Sequence, residues 1–311
     1  MKANNINDLL GRNISREEYI NLESVSIIDG VGNIPPRSFS GHSHLRSVKI
    51  PDSVKYIYSE AFERSTNLEM IKIPDSVIYI GRSAFSQCFN LRSVIIGKGI
   101  KEIKERAFSN CRNISSIVFI GNFQIFEKSI FEKCHRLESI EIKKDEKYDS
   151  RNNCNAVIET KSNTLIWGCS STTIPNSVSR IGESAFFMNE LLKSIIIPGN
   201  VKTIDGGAFC GCKKLTSLKI EKGVIEIGDS CFSGCNMKSV SLPDGIKSVG
   251  NNAFAWCPNL TSVYLPDSLD KIGEHAFIEC RKLTSIFVPK GTLEKFKKIF
   301  IPWYHLYLKE L

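Results

Sequence analysis

Ten phenylalanines, Phe39, Phe62, Phe85, Phe108, Phe131, Phe186, Phe209, Phe232, Phe254 and Phe277, recur along the chain at steps of 23 or 22 residues, with one longer gap. A short repeat of fixed length cannot cover its own apolar face. Each copy must be covered by the next, and the chain is constrained to a stack of similar coils. The gap, from Phe131 to Phe186, spans 55 residues: one repeat plus an insertion of 32.

One copy shows the whole frame: Ile73-Pro74-Asp75-Ser76-Val77, Ile80-Gly81, Ala84-Phe85, Cys88, Asn90-Leu91, Ser93-Val94 and Ile96. The stretch around Leu91, Val94 and Ile96 alternates as a short strand does, with alternate side chains pointing outward. Proline then follows the strand at Pro51, Pro74, Pro198, Pro243, Pro266 and Pro289, and lacking an amide hydrogen it ends the ladder there. The second apolar pair, as in Ile100 and Ile103, turns the coil back. Gly81, Gly182, Gly228, Gly250 and Gly273 are expected to permit a tight corner. The predicted fold class is an α/β-type repeat solenoid, with short parallel strands on a concave face, an irregular or short helical convex side, and one inserted β-hairpin.

The ends differ from the repeats. Ser15-Arg16-Glu17-Glu18 has the spacing of a capping box and opens a helical N-terminal cap over 1–20. A degenerate first repeat follows, with Leu22, Val25, Ile27, Val31 and Ile34 inward. A single solenoid is expected over 21–288. The segment 289–311 is expected to close it, through a helix carrying Leu293, Phe296, Ile299 and Phe300 and a seal completed by Trp303, Tyr304, Leu306 and Tyr307. Within the insertion, about 143–173, the runs Asn155 to Thr160 and Thr164 to Trp167 predict the hairpin.

Of eleven cysteines, seven, Cys88, Cys111, Cys134, Cys212, Cys235, Cys257 and Cys280, stand three residues after a marker phenylalanine. They are repeat positions. Reduced cysteine is a small hydrophobe, so free buried thiols filling space in the coil are expected rather than disulfides.

These residues together resemble the BspA-like leucine-rich repeat family, found on the surfaces of anaerobic oral and gut bacteria. The likeness rests on Ile-Pro-x-Ser-Val, Ile-Gly, Ala-Phe, Cys and Leu-x-Ser-Val in order. It extends to the insertion, from Tyr148 through Cys154 and Thr160 to Ile166, and to the terminal Val288-Pro289-Lys290-Gly291-Thr292. The resemblance implies a curved leucine-rich-repeat solenoid that binds proteins, host matrix or neighbouring cells, and no catalysis.

The charge of +8, from 41 basic and 33 acidic residues, is interspersed rather than gathered in a stripe, so nucleic acid is not the expected partner. No run approaches the roughly 20 apolar residues of a membrane span. The first ten residues lack the apolar core of a secretory signal. Two locations therefore stay open: the cell surface, which the resemblance implies, and the cytoplasm. A monomer is expected.

Chemistry finds little foothold. His42-Ser43-His44 has no third metal ligand beside it, and Cys210-Gly211-Cys212 has no partner pair. With no sequence signature for a nucleophile, a phosphate cradle or a metal, an enzyme is not expected, nor a cofactor or metal. The outward strand positions are the informative ones, since packing does not dictate them. They run Ser26, Lys49, Lys72, Ile95, Val118, Glu141, Ile196, Lys219, Ser241, Tyr264 and Phe287, flanked by Arg46, Arg92, Lys193 and Lys238. This column turns aliphatic in its middle and aromatic at its end. It is expected to face a protein partner, unless neighbouring side chains cover it.

Overall fold

A computed structural model describes residues 2–121, 128–143 and 145–311, so that within the insertion Lys144 lies outside the described residues. The chain gathers into two compact units, Met1–Asp149 and Ser150–Leu311. Both are stacks of parallel-strand coils with little helix.

Each coil contributes two strands to two separate ladders. In the first unit, the long strands Met70–Ile73, Ser93–Ile96, Ser116–Phe119 and Ser139–Ile142 pair in parallel, aligning Lys72, Ile95, Val118 and Glu141. Ser24–Ser26 and Ser47–Lys49 pair in the same manner. The second ladder is only two residues wide. It joins Asn33–Ile34, Tyr56–Ile57, Tyr79–Ile80 and Glu102–Ile103, so the second apolar pair of the frame forms a strand as well as a return.

In the second unit the hairpin forms from Ala156–Glu159 and Thr164–Gly168. Its second strand pairs in parallel with Arg180–Ile181 and so starts a short-strand ladder running through Thr203–Ile204, Glu226–Ile227, Ser248–Val249 and Lys271–Ile272. The long strands are Ser194–Ile197 with Ser217–Ile220, then Ser239–Ser241, Ser262–Tyr264 and Ser285–Val288.

The marker phenylalanines form the spine of each unit. From Phe39 to Phe131 successive ring centroids lie 4.9–5.2 Å apart with planes within 9°. From Phe186 to Phe277 the spacing is 4.7–5.7 Å and the planes lie within 18°. A stacking distance this close to the strand spacing shows that the ring column and the backbone ladders share one rise per coil. Around the phenylalanine a third ladder runs the other way: the amides of Glu60, Phe62 and Arg64 donate to the carbonyls of Arg82, Ala84 and Ser86 in the following coil. Glu60 and Arg64 take left-handed φ of 60° and 57° to aim these amides forward, and Ser83 and Gln87 repeat the pattern one coil later.

The recurring frame glycines do something other than turn a corner. Gly81, Gly228, Gly250 and Gly273 have no positive φ, but a Cβ at any of them would stand 2.4–2.6 Å from an atom of the preceding coil, such as the Ser59 amide nitrogen at 2.5 Å from Gly81. Their role is close approach of neighbouring backbones, and the corner reading is corrected accordingly. Gly168 is a sharper case: a Cβ there would lie 2.1 Å from the Phe186 ring, so the hairpin backbone itself covers the first ring of the second spine.

The thiol column also does more than fill space. Cys88, Cys111 and Cys134 donate to the carbonyls of Phe62, Phe85 and Phe108 at 3.0–3.2 Å. Cys212, Cys235, Cys257 and Cys280 do the same for Phe186, Phe209, Phe232 and Phe254 at 3.0–3.4 Å. Ser65 fills this position in its own coil and bonds the Phe39 carbonyl at 2.8 Å. All eleven cysteines are free, and all but the half-buried Cys210 are buried.

At the N-terminal end, Asn5 caps the helix Ile6–Leu10 and Ser15 caps Arg16–Ile20 by accepting from the Glu18 amide. The Glu18 carboxylate closes on Arg12 instead of back onto Ser15, so only half of the capping box forms. At the C-terminal end the helix Leu293–Ile299 buries Phe296, with Phe300 buried just beyond it. The seal expected from four residues is made by two. Pro302–Tyr307 is a 3-10 helix with three residues per turn, which sets Tyr304 and Tyr307 inward, while Trp303 and Leu306 point out with 71% and 88% exposure. Leu308–Glu310 then adds a parallel strand beside Ser285–Val288, an element the sequence pattern did not reveal.

Candidate interaction surfaces

The outward column is divided between the units. In the first, Lys49 and Lys72 are exposed, whereas Ile95, Val118 and Glu141 are half-buried. Their flanks differ in freedom. Arg46 sits between Glu23 and Glu69 at 3.7 and 3.9 Å, and Arg92 makes no ion pair among the described residues. Glu141 pairs with Lys143 at 3.3 Å.

In the second unit Ile196 is 56% exposed, an unusual position for a bare isoleucine, with Lys193 exposed beside it. Lys219 pairs with Glu221 at 3.1 Å. Ser241, Tyr264 and Phe287 share one register, and the two aromatic rings stack at 4.8 Å with planes 17° apart. Tyr264 is 37% exposed and Phe287 half-buried, so the closing helix does not cover the pair. The added C-terminal strand borders it with Lys309, whose Nζ donates to Ser285 at 2.7 Å.

Two other surfaces were not singled out by the long-strand pattern. Tyr56, Tyr58 and Tyr79 cluster on the short-strand face of the first unit. A signal for them exists in the sequence, since Tyr56 and Tyr79 are one period apart and each precedes an inward isoleucine. The second surface is a cleft of about 550 Å³ beside the last coil, lined by Phe277, Cys280, Leu283, Trp303, Tyr304 and Tyr307. The Tyr304 hydroxyl meets the Phe277 amide at 3.3 Å, and burial pushes its ionisation up.

The groups weighed for chemistry are occupied structurally. His42 is buried, accepts from the Leu45 amide at Nδ1 and meets the Tyr19 carbonyl at Nε2. It stands at the same repeat position as the column thiols. Burial pushes the Cys88, Cys134 and Cys231 thiols well up. Cys235 is raised by its contact with the Cys212 sulfur and by burial. Cys257 is raised by Cys280, which the same contact draws down, so these two titrate as a pair. Among the described residues no group of three or more His, Cys, Asp or Glu converges as a metal site, and no helix is long and apolar enough to cross a membrane.

A stack of coils with a buried phenylalanine spine, parallel ladders and variable outward positions defines a leucine-rich-repeat scaffold, a fold that generally mediates protein–protein interactions. The family model described as the BspA type leucine rich repeat region (6 copies) matches residues 16–138, 60–186, 163–224 and 181–301, and the chain belongs to this family. Family and fold are those of repeat scaffolds rather than known enzymes. Among solved structures, the chain is similar to a leucine rich cell surface protein from Faecalibacterium prausnitzii A2-165, with 31% identity, TM-score 0.63, and coverage of 90% of this chain and 76% of that one. It shares its fold with the pneumococcal vaccine antigen PcpA, at 20% identity and TM-score 0.61, over 86% of this chain and 68% of that one. The same holds for a leucine-rich repeat protein from Eubacterium ventriosum ATCC 27560, at 21% identity and TM-score 0.55, over 87% and 73%. No curated protein matches the chain.

Proposed function

We propose that this chain is a non-enzymatic adhesion scaffold at a bacterial surface, acting as a monomer and presenting its long-strand faces to a protein or matrix partner. The observation that carries the reading is the stacked, solvent-facing Tyr264 and Phe287 pair. Large aromatic side chains left open on a sheet face are energetically expensive in water and are enriched at the centres of protein interfaces. Within the second unit Ile196 extends apolar character on the same type of face, with Lys193 and Lys238 exposed beside it, and in the first unit Lys49, Lys72 and Arg92 are exposed on the corresponding face, charges that favour acidic groups. The similarity to a cell surface protein supports the location. The terminal helices serve as caps that keep the open ends of the coils from water.

Purified chain is tested for binding to plates coated with extracellular-matrix proteins, beside the variant Tyr264→Ala/Phe287→Ala. Loss of aromatic anchors of this kind costs about 2 kcal/mol or more, so binding falls at least about thirtyfold while the thermal melt stays put. Unfolding of the variant would instead assign both rings to the core. Fractionation of the source cells, with the chain found only in the cytoplasm, would end the adhesive reading.

A further inference from the structure

We propose that the short-strand face of the first unit is a second recognition site, taking an extended acidic segment of a partner protein across Tyr56, Tyr58 and Tyr79. The rings form a continuous cluster: Tyr56 and Tyr58 stack at 6.0 Å with planes 7° apart, and Tyr58 meets Tyr79 at 6.3 Å. Tyr56 is 38% exposed and the other two are half-buried. None of the three hydroxyls has a hydrogen-bond partner within the described chain, so each remains open to a ligand. Repeat packing does not demand these residues. The corresponding positions of the second unit hold Arg180, Thr203, Glu226, Ser248 and Lys271 on the strands, with Asp205 where Tyr58 stands.

Charge selects the occupant. Lys55, Ile78 and Lys101 lie in register at one edge of the cluster, linked by backbone hydrogen bonds of 2.9 and 3.0 Å. Lys55 and Lys101 are exposed and make no ion pair among the described residues. The other cations near this face are committed: Lys104 to Glu102, Arg82 to Glu105 at 3.2 Å and Arg37 to Glu60 at 2.5 Å. Two free lysines two coils apart are separated by about 10 Å at the strand spacing. Carboxylates three positions apart on a polyproline II segment point to the same side and span nearly the same distance, about 9 Å at roughly 3.1 Å per residue. The residues between those carboxylates would then lie on the tyrosines. A nucleic acid or a sulfated glycan calls for a dense cation array, and two free charges beside three rings do not make one.

A random peptide library displayed on phage is panned against the full chain at low salt. Enrichment of paired acidic residues three positions apart around an apolar or aromatic residue is the expected outcome. Synthetic peptides of that consensus should bind about thirtyfold more weakly to Tyr56→Ser/Tyr79→Ser. Lys55→Glu/Lys101→Glu, which changes only exposed side chains, should lose about tenfold or more and most of the salt dependence. Tyr264→Ala/Phe287→Ala should leave this binding unchanged, which separates the proposal from the long-strand reading. No acidic consensus, equal binding to both variants, or retention on heparin or single-stranded RNA that depends on the same tyrosines would each overturn it.

Discussion

The two units are nearly interchangeable inside and dissimilar outside. Their phenylalanine columns have closely matched spacing, and the same thiol-to-carbonyl bond recurs in both. On the short-strand face, however, the first unit carries Tyr56 and Tyr79, and the second Thr203 and Glu226. The long-strand faces diverge too, since lysines open the first and an aromatic pair ends the second. Interior positions must match the rise of the coil in every copy. Exterior positions meet only water or a partner, and packing does not hold them alike from copy to copy.

The largest test of the shared interior is truncation of a spine ring. Phe85→Ala and Phe232→Ala should each cost about 3–5 kcal/mol in urea denaturation, because both rings are fully buried between two stacked neighbours. A cost confined to one unit would break the equivalence. Next comes Gly168→Ala, which forces a methyl into the Phe186 ring and should destabilise the second unit by about 2–3 kcal/mol. Hydrogen exchange should then accelerate in Ser150–Leu311 while Met1–Asp149 keeps its protection.

Smaller effects sharpen the thiol column. Cys111→Ala leaves the Phe85 carbonyl without its sulfur donor and should cost about 1–2 kcal/mol, whereas Cys111→Ser should cost less, following the precedent of Ser65. Equal costs would mean the sulfur contributes packing alone. The pH dependence follows from the raised thiols. Cys88, Cys134 and Cys231 have ionisations above those of the unfolded chain, so their contribution is fully present below about pH 8.5 and is lost as pH rises beyond it. Urea midpoints should be level near neutrality and fall in alkali. Native alkylation should label Cys210 first, as the one thiol that is not buried.

Much of the architecture was legible because periodicity reports burial directly. The phenylalanine steps mark the spine, Leu91, Val94 and Ile96 mark a strand, and the runs flanking Lys161 to Asn163 mark the hairpin. Legibility failed where identity and direction part company. Trp303 and Leu306 are apolar, yet a helix of three residues per turn points them away from Tyr304 and Tyr307. Frame glycines signalled that a side chain is intolerable, but not whether a dihedral or a neighbouring backbone forbids it. Tyr56 and Tyr79 carry the right period, but their ladder is only two residues wide, too short for an alternating pattern to mark a face.

By itself the sequence determined the stack: a repeat too short to bury its own apolar set leaves no alternative to coils sharing a spine. Tertiary structure alone decided which hydrogen bonds the thiols make, where the hairpin docks, and which aromatic residues remain open. Those outcomes depend on contacts between atoms one coil apart, set by backbone direction and rise, and a linear pattern of apolar positions holds no record of either.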